Sequence, residues 1–253
     1  MDKSVYPTFD IQNLVANKSA NDLLNADRFK SYLNSNPHLG VVHNHTFYHL
    51  VYFTEGSGEQ VIDFVTFPVQ KGMIYFMRPG QVHKWYFDEV ADGYIVNFSA
   101  TFFDQLFINT NFIDQFSFFD RVAAHQVLLL KEETQRQVEQ IFEKILREQS
   151  ENLSSPQLMI ATLLLQLFLT VERNDAKTIK EETGGYNSVI LRNFQKLIED
   201  NFKSIRLPKD YAGLLYITPN HLNALCKDHL GFSTGEVIRN RVILEAKRLL
   251  INF

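Results

Sequence analysis

The sequence predicts an α+β protein of two domains, in which a small β-barrel and two helices precede an all-α unit. Between Val41 and about Phe103, short strand-like segments are separated by Gly, Asp or Pro, a spacing typical of antiparallel barrels and sandwiches. After Asp120 the hydrophobic period becomes that of a helix. From Pro208 onward, two short helical patterns and one longer one follow each other closely.

Composition and charge narrow the class of protein. The only cysteine, Cys226, excludes an internal disulfide framework and favours a reducing cytoplasm. MDKSVYPTFD contains no signal peptide, and the longest apolar stretch, LMIATLLLQLFLTV, is too short to cross a membrane. Residues 188–253 carry a net charge of +4, and the rest of the chain carries −8. We therefore expect only residues 188–253 to bind a polyanion. The alternative is that this excess of positive charge arose by chance.

We divide the chain into five segments. Residues 1–40 are polar and irregular and are interpreted as an N-terminal arm, which we expect to act as a lid. Residues 41–125 form the predicted barrel, and residues 126–173 form two helices. Residues 174–187, NDAKTIKEETGGYN, lack a hydrophobic period and form a linker before the tail unit, residues 188–253.

The second of the two helices, roughly 156–172, is apolar nearly all round. Pro156 is well placed as its first residue. Neighbours must therefore cover this helix on more than one side. If the barrel covers one side of the helix and a second protomer covers the other, the protein is a homodimer, which is our prediction. A groove within the same chain would also cover the helix.

The tail contains a helix whose start is clearly marked. Thr218 is a predicted N-cap and Pro219 the first helical residue. Leu222, Leu225, Cys226 and His229 share one face, so polar side chains near the N-terminus point the other way. A preceding short helix and a tight turn make this the geometry of a helix-turn-helix, in which the second helix enters the major groove. An ordinary helical hairpin fits the same spacing.

The string HLNALCKDHLGFSTGEVIRNRVILEAKRLL resembles the first half of the DNA-binding domain of AraC/XylS transcription regulators. The chain departs from that pattern at Ala224, Cys226 and Thr234, where the family usually has Arg, an aromatic residue and Pro. The family's second helix-turn-helix does not follow, so we expect a truncated chain that binds specific DNA poorly. The resemblance implies a regulator that binds promoter DNA, and the residues assigned to DNA are Thr218, Asn220, His221, Asn223, Lys227 and Arg239.

Two further motifs lie in the predicted barrel. His43, His45 and His49 share one parity, so on a strand they would point to the same face. Their spacing up to Gly56 resembles the first cupin motif, with His49 in place of its Glu. GMIYFMRPGQVH resembles the second, with Gly72, Gly80 and His83 in register and Arg78 in place of Pro. The barrel therefore resembles a cupin-like domain, which is also the sensor domain that AraC/XylS regulators carry.

We interpret the barrel interior as a pocket for a small-molecule effector. Arg78 suits a carboxylate or phosphate, although a surface salt bridge explains it equally well, and Trp85 can stack on a ring. The residues assigned to the ligand are His45, Phe47, His49, Arg78, His83, Trp85 and Tyr94.

A metal site is the alternative interpretation of the histidines. His43, His45, His49 and His83 are suitable ligands for Zn, Fe, Ni or Cu. Against this, no carboxylate stands where the cupin motif has its Glu, and the resemblance to sensor barrels implies function without a metal or other cofactor.

The sequence thus predicts a cytoplasmic, dimeric, ligand-responsive transcription regulator that binds DNA and is not an enzyme. The rival hypothesis is a metal-dependent, dioxygenase-like cupin enzyme with a helical assembly tail.

Overall fold

The computed structural model describes residues 6–14, 23–104, 112–119, 125–151, 154–174 and 186–250. The chain divides into two compact units, Met1–Thr178 and Ile179–Phe253. The predicted α+β class is confirmed, because a β-rich domain with two long helices precedes a helical region. Almost all of the predicted linker, residues 174–187, lies outside the described residues.

The first unit contains two main antiparallel sheets. A five-stranded sheet has the order β10-β7-β4-β9-β2, and a three-stranded sheet has the order β6-β5-β8. Two short strands, β1 and β3, pair in parallel beside them. The strands are β1 (Thr8–Phe9), β2 (Leu24–Arg28), β3 (Asn44–His45), β4 (Tyr48–Glu55), β5 (Gly58–Ile62), β6 (Val65–Val69), β7 (Met73–Met77), β8 (His83–Phe87), β9 (Asp92–Phe98) and β10 (Val127–Leu129).

Both faces of the five-stranded sheet are buried, because strand alternation sends apolar side chains to two different cores. On one face, Val51 and Tyr75 join the core that the sheet shares with the three-stranded sheet, which we call the barrel interior. On the other face, Leu50 and Phe76 join a core shared with two helices.

Among the described residues of the first unit, the α-helices are α1 (Phe29–Ser35), α2 (Glu132–Ser150) and α3 (Pro156–Asn174). Pro156 is the first residue of α3, as its missing N–H and fixed φ favour. α2 buries residues at the spacing that the sequence indicated, namely Val138, Ile141, Phe142 and Ile145.

Part of the predicted arm belongs to the barrel instead. β2 pairs with β9 along its whole length, and the side chains of Phe29 and Tyr32 on α1 are 0% exposed in the barrel interior. The sheet also continues past residue 125, because β10 pairs with β7. Because residues 1–40 are mostly polar, the sequence did not indicate β2 or the buried apolar side chains of α1.

The second unit consists of α4 (Tyr186–Asn201), α5 (Pro208–Leu214), α6 (Pro219–Leu230) and α7 (Thr234–Leu250). Its core is formed by buried side chains from all four helices, including Phe194, Tyr211, Leu222 and Ile238. Among the described residues, no helix combines the length and the hydropathy of a membrane span.

Candidate functional site

Four histidines meet inside the barrel. His43 and His49 are 0% exposed, His83 is 2% exposed and His45 is 3% exposed. The ring centroids of His43 and His83 lie 4.3 Å apart, and those of His45 and His49 lie 4.8 Å apart. We call His43, His45, His49 and His83 the histidine cluster.

Backbone hydrogen bonds hold these residues together. His43 and His83 form an isolated antiparallel bridge, in which each N–H donates to the other's carbonyl at 3.2 and 2.9 Å. Gly80 has a φ of 82°, a left-handed conformation that glycine adopts without strain, and its N–H donates to the His45 carbonyl at 2.8 Å. The turn before β8 therefore fixes His83 against the strand that carries His45.

Two of the four rings have a hydrogen-bond partner on one nitrogen. His43 Nδ1 lies 2.7 Å from the carbonyl oxygen of Val41, and His49 Nδ1 lies 2.6 Å from Asn97 Oδ1. Other ring nitrogens of the cluster are buried without a partner, namely Nε2 of His43 and His49 and both nitrogens of His45. A buried polar atom without a partner costs about 1–3 kcal/mol, and in proteins such atoms commonly bind a water molecule or an ion.

The cluster is electrically neutral at physiological pH. Burial lowers the pKa of His43 to about 4 and that of His49 to about 3, because the charged imidazolium loses its solvation. Burial also lowers the pKa of His45 and of His83 well below the ordinary value, and the neighbouring histidines add to this effect. Neutral imidazoles offer lone pairs and can bind a cation.

Aromatic rings surround the cluster. The Phe47 ring stacks on His45 at 4.3 Å, and the Trp85 ring lies 5.0 Å from His83 and 5.5 Å from His49. From β1, Phe9 lies 5.5 Å from the ring of His43. Five of the seven residues assigned to the ligand therefore come together here: His45, Phe47, His49, His83 and Trp85.

Arg78 does not belong to this group. Its Nη1 donates to Asp114 Oδ1 at 2.9 Å and to the carbonyl of Phe119, and its guanidinium lies 5.7 Å from the centroid of the Tyr48 ring. Phe119 and Tyr48 belong to the core on the helix side of the sheet. The structure therefore places Arg78 apart from the other residues assigned to the ligand, in a partly buried salt bridge rather than the surface salt bridge that was the alternative.

Tyr94 also faces away from the cluster. It pairs with Tyr52 across β4 and β9, and both rings lie in the core on the helix side. Its hydroxyl donates to Glu143 on α2 at 2.6 Å, and Arg28 lies 4.4 Å from its ring centroid. In this structure Tyr94 joins the barrel to α2 and does not line the interior.

Three residues that lie beside the cluster were not predicted as site residues from the sequence. Asn97 accepts from His49, Tyr32 lies 6.4 Å from the His49 ring, and Phe9 covers His43. Asn97 had a detectable signal, because it is a polar residue inside the apolar strand GYIVNF. Phe9 and Tyr32 had none, since both lie in a polar segment interpreted as an arm.

In the second unit, α6 begins as predicted. The side chain of Thr218 accepts a hydrogen bond from the N–H of His221 at 3.2 Å, which confirms Thr218 as the N-cap. Leu222, Leu225 and Cys226 are buried. The exposed residues assigned to DNA are Thr218, Asn220, His221 and Lys227 on or before α6 and Arg239 on α7.

Asn223 differs from that prediction. It is half-buried, and its Oδ1 accepts a hydrogen bond from the N–H of Thr234 at 3.2 Å, at the start of α7. The side-chain oxygen that bidentate pairing with adenine requires is therefore occupied within the protein. Helical periodicity placed Asn223 outward correctly, but could not foresee that α7 begins beside it.

A β-rich domain with a buried histidine cluster is thus followed by a helical unit in which α6 has an exposed polar edge. The family model described as AraC-like ligand binding domain matches residues 36–168, more than half of the chain. The chain therefore belongs to the family of AraC-like ligand binding domains, which confirms the predicted resemblance of the barrel to the sensor domain of AraC/XylS regulators.

Comparison with solved structures found similar but distant chains. The AraC-like transcriptional activator CuxR is 14% identical, with 88% of this chain and 73% of that chain covered and a TM-score of 0.31. ToxT from Vibrio cholerae is 9% identical, with 85% and 97% covered and a TM-score of 0.34. Oxalate decarboxylase from Bacillus subtilis is 14% identical over 36% of this chain and 28% of its own, with a TM-score of 0.22. No curated protein matches the chain significantly.

Proposed function

We propose that the chain is a cytoplasmic, dimeric transcription regulator that binds specific DNA through α6 and responds to a ligand held at the histidine cluster. The observation that carries this proposal is the division of α6 into two faces. Asn220, His221 and Lys227 are exposed, while the opposite side of the helix is anchored in the core of its own unit. An exposed polar edge on a firmly packed helix suits insertion into a major groove.

The chemistry of that edge suits DNA. Asn220 and His221 stand in the first turn of α6, the part of a recognition helix that contacts base edges. An Asn amide can pair bidentately with adenine, and Lys227 can reach a guanine or a phosphate. We assign Arg239, which is exposed on α7, to a contact with a DNA phosphate. Asn223 is left out of the base-reading set because it caps α7.

The histidine cluster is the proposed sensor site because it concentrates unpartnered polar atoms inside an apolar core. β1 pairs with β3, the strand that carries His45, and places Phe9 against the cluster. A ligand that moves or orders β3 therefore acts on the N-terminal segment as well, which supports the proposal that this segment is a lid. The lid would consist of the residues around β1, since β2 and α1 are built into the barrel.

Dimerisation is proposed to use the outer face of α3. Leu158 is 51% exposed and Leu169 is 37% exposed, and half-buried Leu165 lies between them at helical spacing. The inner face of the same helix is buried against the first unit. A second copy of the chain would cover this apolar stripe. Two protomers would also place two recognition helices on two half-sites.

The rival enzyme hypothesis is less well supported. A catalytic metal needs a coordination position that substrate can reach. The four histidines are 0–3% exposed, and they lie among buried aromatic side chains. We therefore propose no catalytic role for them.

DNA binding is tested directly with the full chain. Because a single helix-turn-helix neutralises few phosphates, double-stranded sequences selected from a random pool at low salt should bind weakly, with an affinity that falls steeply as salt rises. Replacement of Asn220 by Ala should cost about 1–3 kcal/mol and relax the preference at one base pair. Replacement of Lys227 by Ala should weaken binding, while the matched change Lys144→Ala, at an exposed position on α2, should not. Failure to enrich any sequence would refute the DNA-binding part of the proposal.

A further inference from the structure

The histidine cluster has the geometry of a metal site. Ring nitrogens of His43, His45 and His83 all lie within 4.8 Å of one another, and all three residues are buried. His43 directly precedes β3, His45 is the second residue of β3, and His83 is the first residue of β8. Two chain segments held together by backbone hydrogen bonds thus aim three nitrogen donors at one volume.

The hydrogen bonds of His43 and His49 use Nδ1 and leave the Nε2 lone pair of each ring available for a metal ion. A carbonyl oxygen can only accept, so His43 Nδ1 must donate to Val41 and the lone pair lies on Nε2. In the same way, His49 Nδ1 donates to Asn97 Oδ1 and leaves the lone pair on Nε2. Both of these Nε2 atoms are buried without a partner. Metal-binding histidines characteristically donate their other nitrogen to a carbonyl or carboxylate in this way, which fixes the tautomer and orients the ring.

The donor atoms select the kind of ion. The cluster offers imidazole nitrogens, and among the described residues neither a carboxylate nor a thiolate joins His43, His45 and His83. Imidazole suits Zn, Cu, Ni and Fe, whereas Mg and Ca prefer oxygen ligands.

We propose that His43, His45 and His83 bind one divalent transition-metal ion, with the His49 ring packed beside them at 4.8 Å from the His45 ring between centroids. Resting on the function proposed above, we further infer that this ion is the ligand to which the regulator responds. An ion needs little room, and the space around the rings is occupied by buried aromatic side chains such as Phe47 and Trp85. An organic effector would have to displace them.

The test uses the full chain, freed of metal with a chelator and titrated with Zn(II) in competition with a chromophoric chelator. We expect one ion per chain. His45→Gln and His83→Gln should each weaken binding by more than about 100-fold, since even the loss of a supporting partner costs about 10–100-fold. Asn97→Leu removes the hydrogen-bond partner of His49 and should weaken Zn(II) binding by about 10–100-fold. The matched control His38→Gln removes an exposed histidine near Phe9 and should leave the affinity unchanged.

Spectroscopy on the unmutated protein makes the test independent of whether the variants fold. Co(II) in place of Zn(II) should give the intense visible absorption of a low-coordinate site. X-ray absorption of the zinc form should show imidazole nitrogens at about 2.0–2.1 Å. The proposal is overturned if no ion binds stoichiometrically, if His45→Gln and His83→Gln bind as tightly as the parent, or if the zinc shell consists of sulfur or of oxygen alone.

The two proposals fail separately. If the chain selects DNA but binds no metal, the metal site is refuted and the regulator stands. If the chain binds metal through these histidines but selects no DNA, the metal site stands and the proposed function is refuted.

Discussion

His49 and Asn97 face each other directly across the central strands β4 and β9, and 2.6 Å separates His49 Nδ1 from Asn97 Oδ1. Both side chains are 0% exposed. This pair fixes the orientation of one imidazole of the histidine cluster within the barrel interior.

Replacing Asn97 by Leu should lower the free energy of unfolding by about 1–3 kcal/mol, because the buried Nδ1–H of His49 loses its acceptor. Urea denaturation of the chelator-treated protein would measure this. The matched control is Asn25→Leu, which makes the same change at the position opposite Asn97 on β2. Asn25 Oδ1 has no hydrogen-bond partner, so that change should cost less. Equal losses in the two variants would contradict the role given to the His49–Asn97 bond.

Arg78 is expected to stabilise the fold without taking part in ligand response. The side chain of Arg78 is 14% exposed and that of Asp114 is 31% exposed, so the pair is partly protected from solvent. A double-mutant cycle with Arg78→Ala and Asp114→Ala should give a coupling of about 0.5–3 kcal/mol in the free energy of unfolding. Zn(II) affinity should stay unchanged in both variants. A variant at Arg78 that remains folded but loses the ligand would restore the role assigned from sequence.

The metal-free protein should lose stability as the pH falls below about 6.5. The four cluster histidines have depressed pKa values when folded, with His43 at about 4 and His49 at about 3, so the unfolded chain binds more protons in this range. Each such proton contributes a slope of about 1.4 kcal/mol per pH unit, with stability rising as pH rises.

The His45→Gln variant isolates this effect. Gln does not titrate, so the stability of the variant should fall less steeply between pH 6.5 and 5 than that of the parent. Urea denaturation at several pH values, with chelator present, would give both slopes. If they coincide, His45 is not buried in its neutral form.

Dimerisation through α3 makes a separate prediction. Leu158→Asp combined with Leu169→Asp places charges on the proposed apolar stripe and should convert a dimer into a monomer, as measured by light scattering. Val90→Asp is the control, since Val90 is 65% exposed between β8 and β9, away from α3. A doubly substituted chain that remains dimeric would exclude this face as the interface.

The sequence predicted the elements whose signals are local. Thr218 and Pro219 marked the start of α6, and Pro156 marked the start of α3. The common parity of His43, His45 and His49 also anticipated their convergence, even though the strand is interrupted between β3 and β4. In each case the information lies within a few residues along the chain.

Other features required tertiary information. All residues of β7 are buried, so its sequence MIYFM shows no alternation that would assign one face to the interior. The direction of Arg78, the next residue, could not be read from it. The same holds for Tyr94 on β9, where six of seven residues are buried. The hydrogen bond from Thr234 to Asn223 depends on where α7 begins in space.

The central claim is that occupation of the histidine cluster controls DNA binding, and the most direct test is the DNA affinity of the full chain with and without Zn(II). Allosteric coupling of ordinary size would change the dissociation constant about 5–150-fold in the parent protein. His45→Gln should abolish that change while retaining the metal-free affinity. An identical DNA affinity in the zinc-bound and metal-free parent would contradict the account.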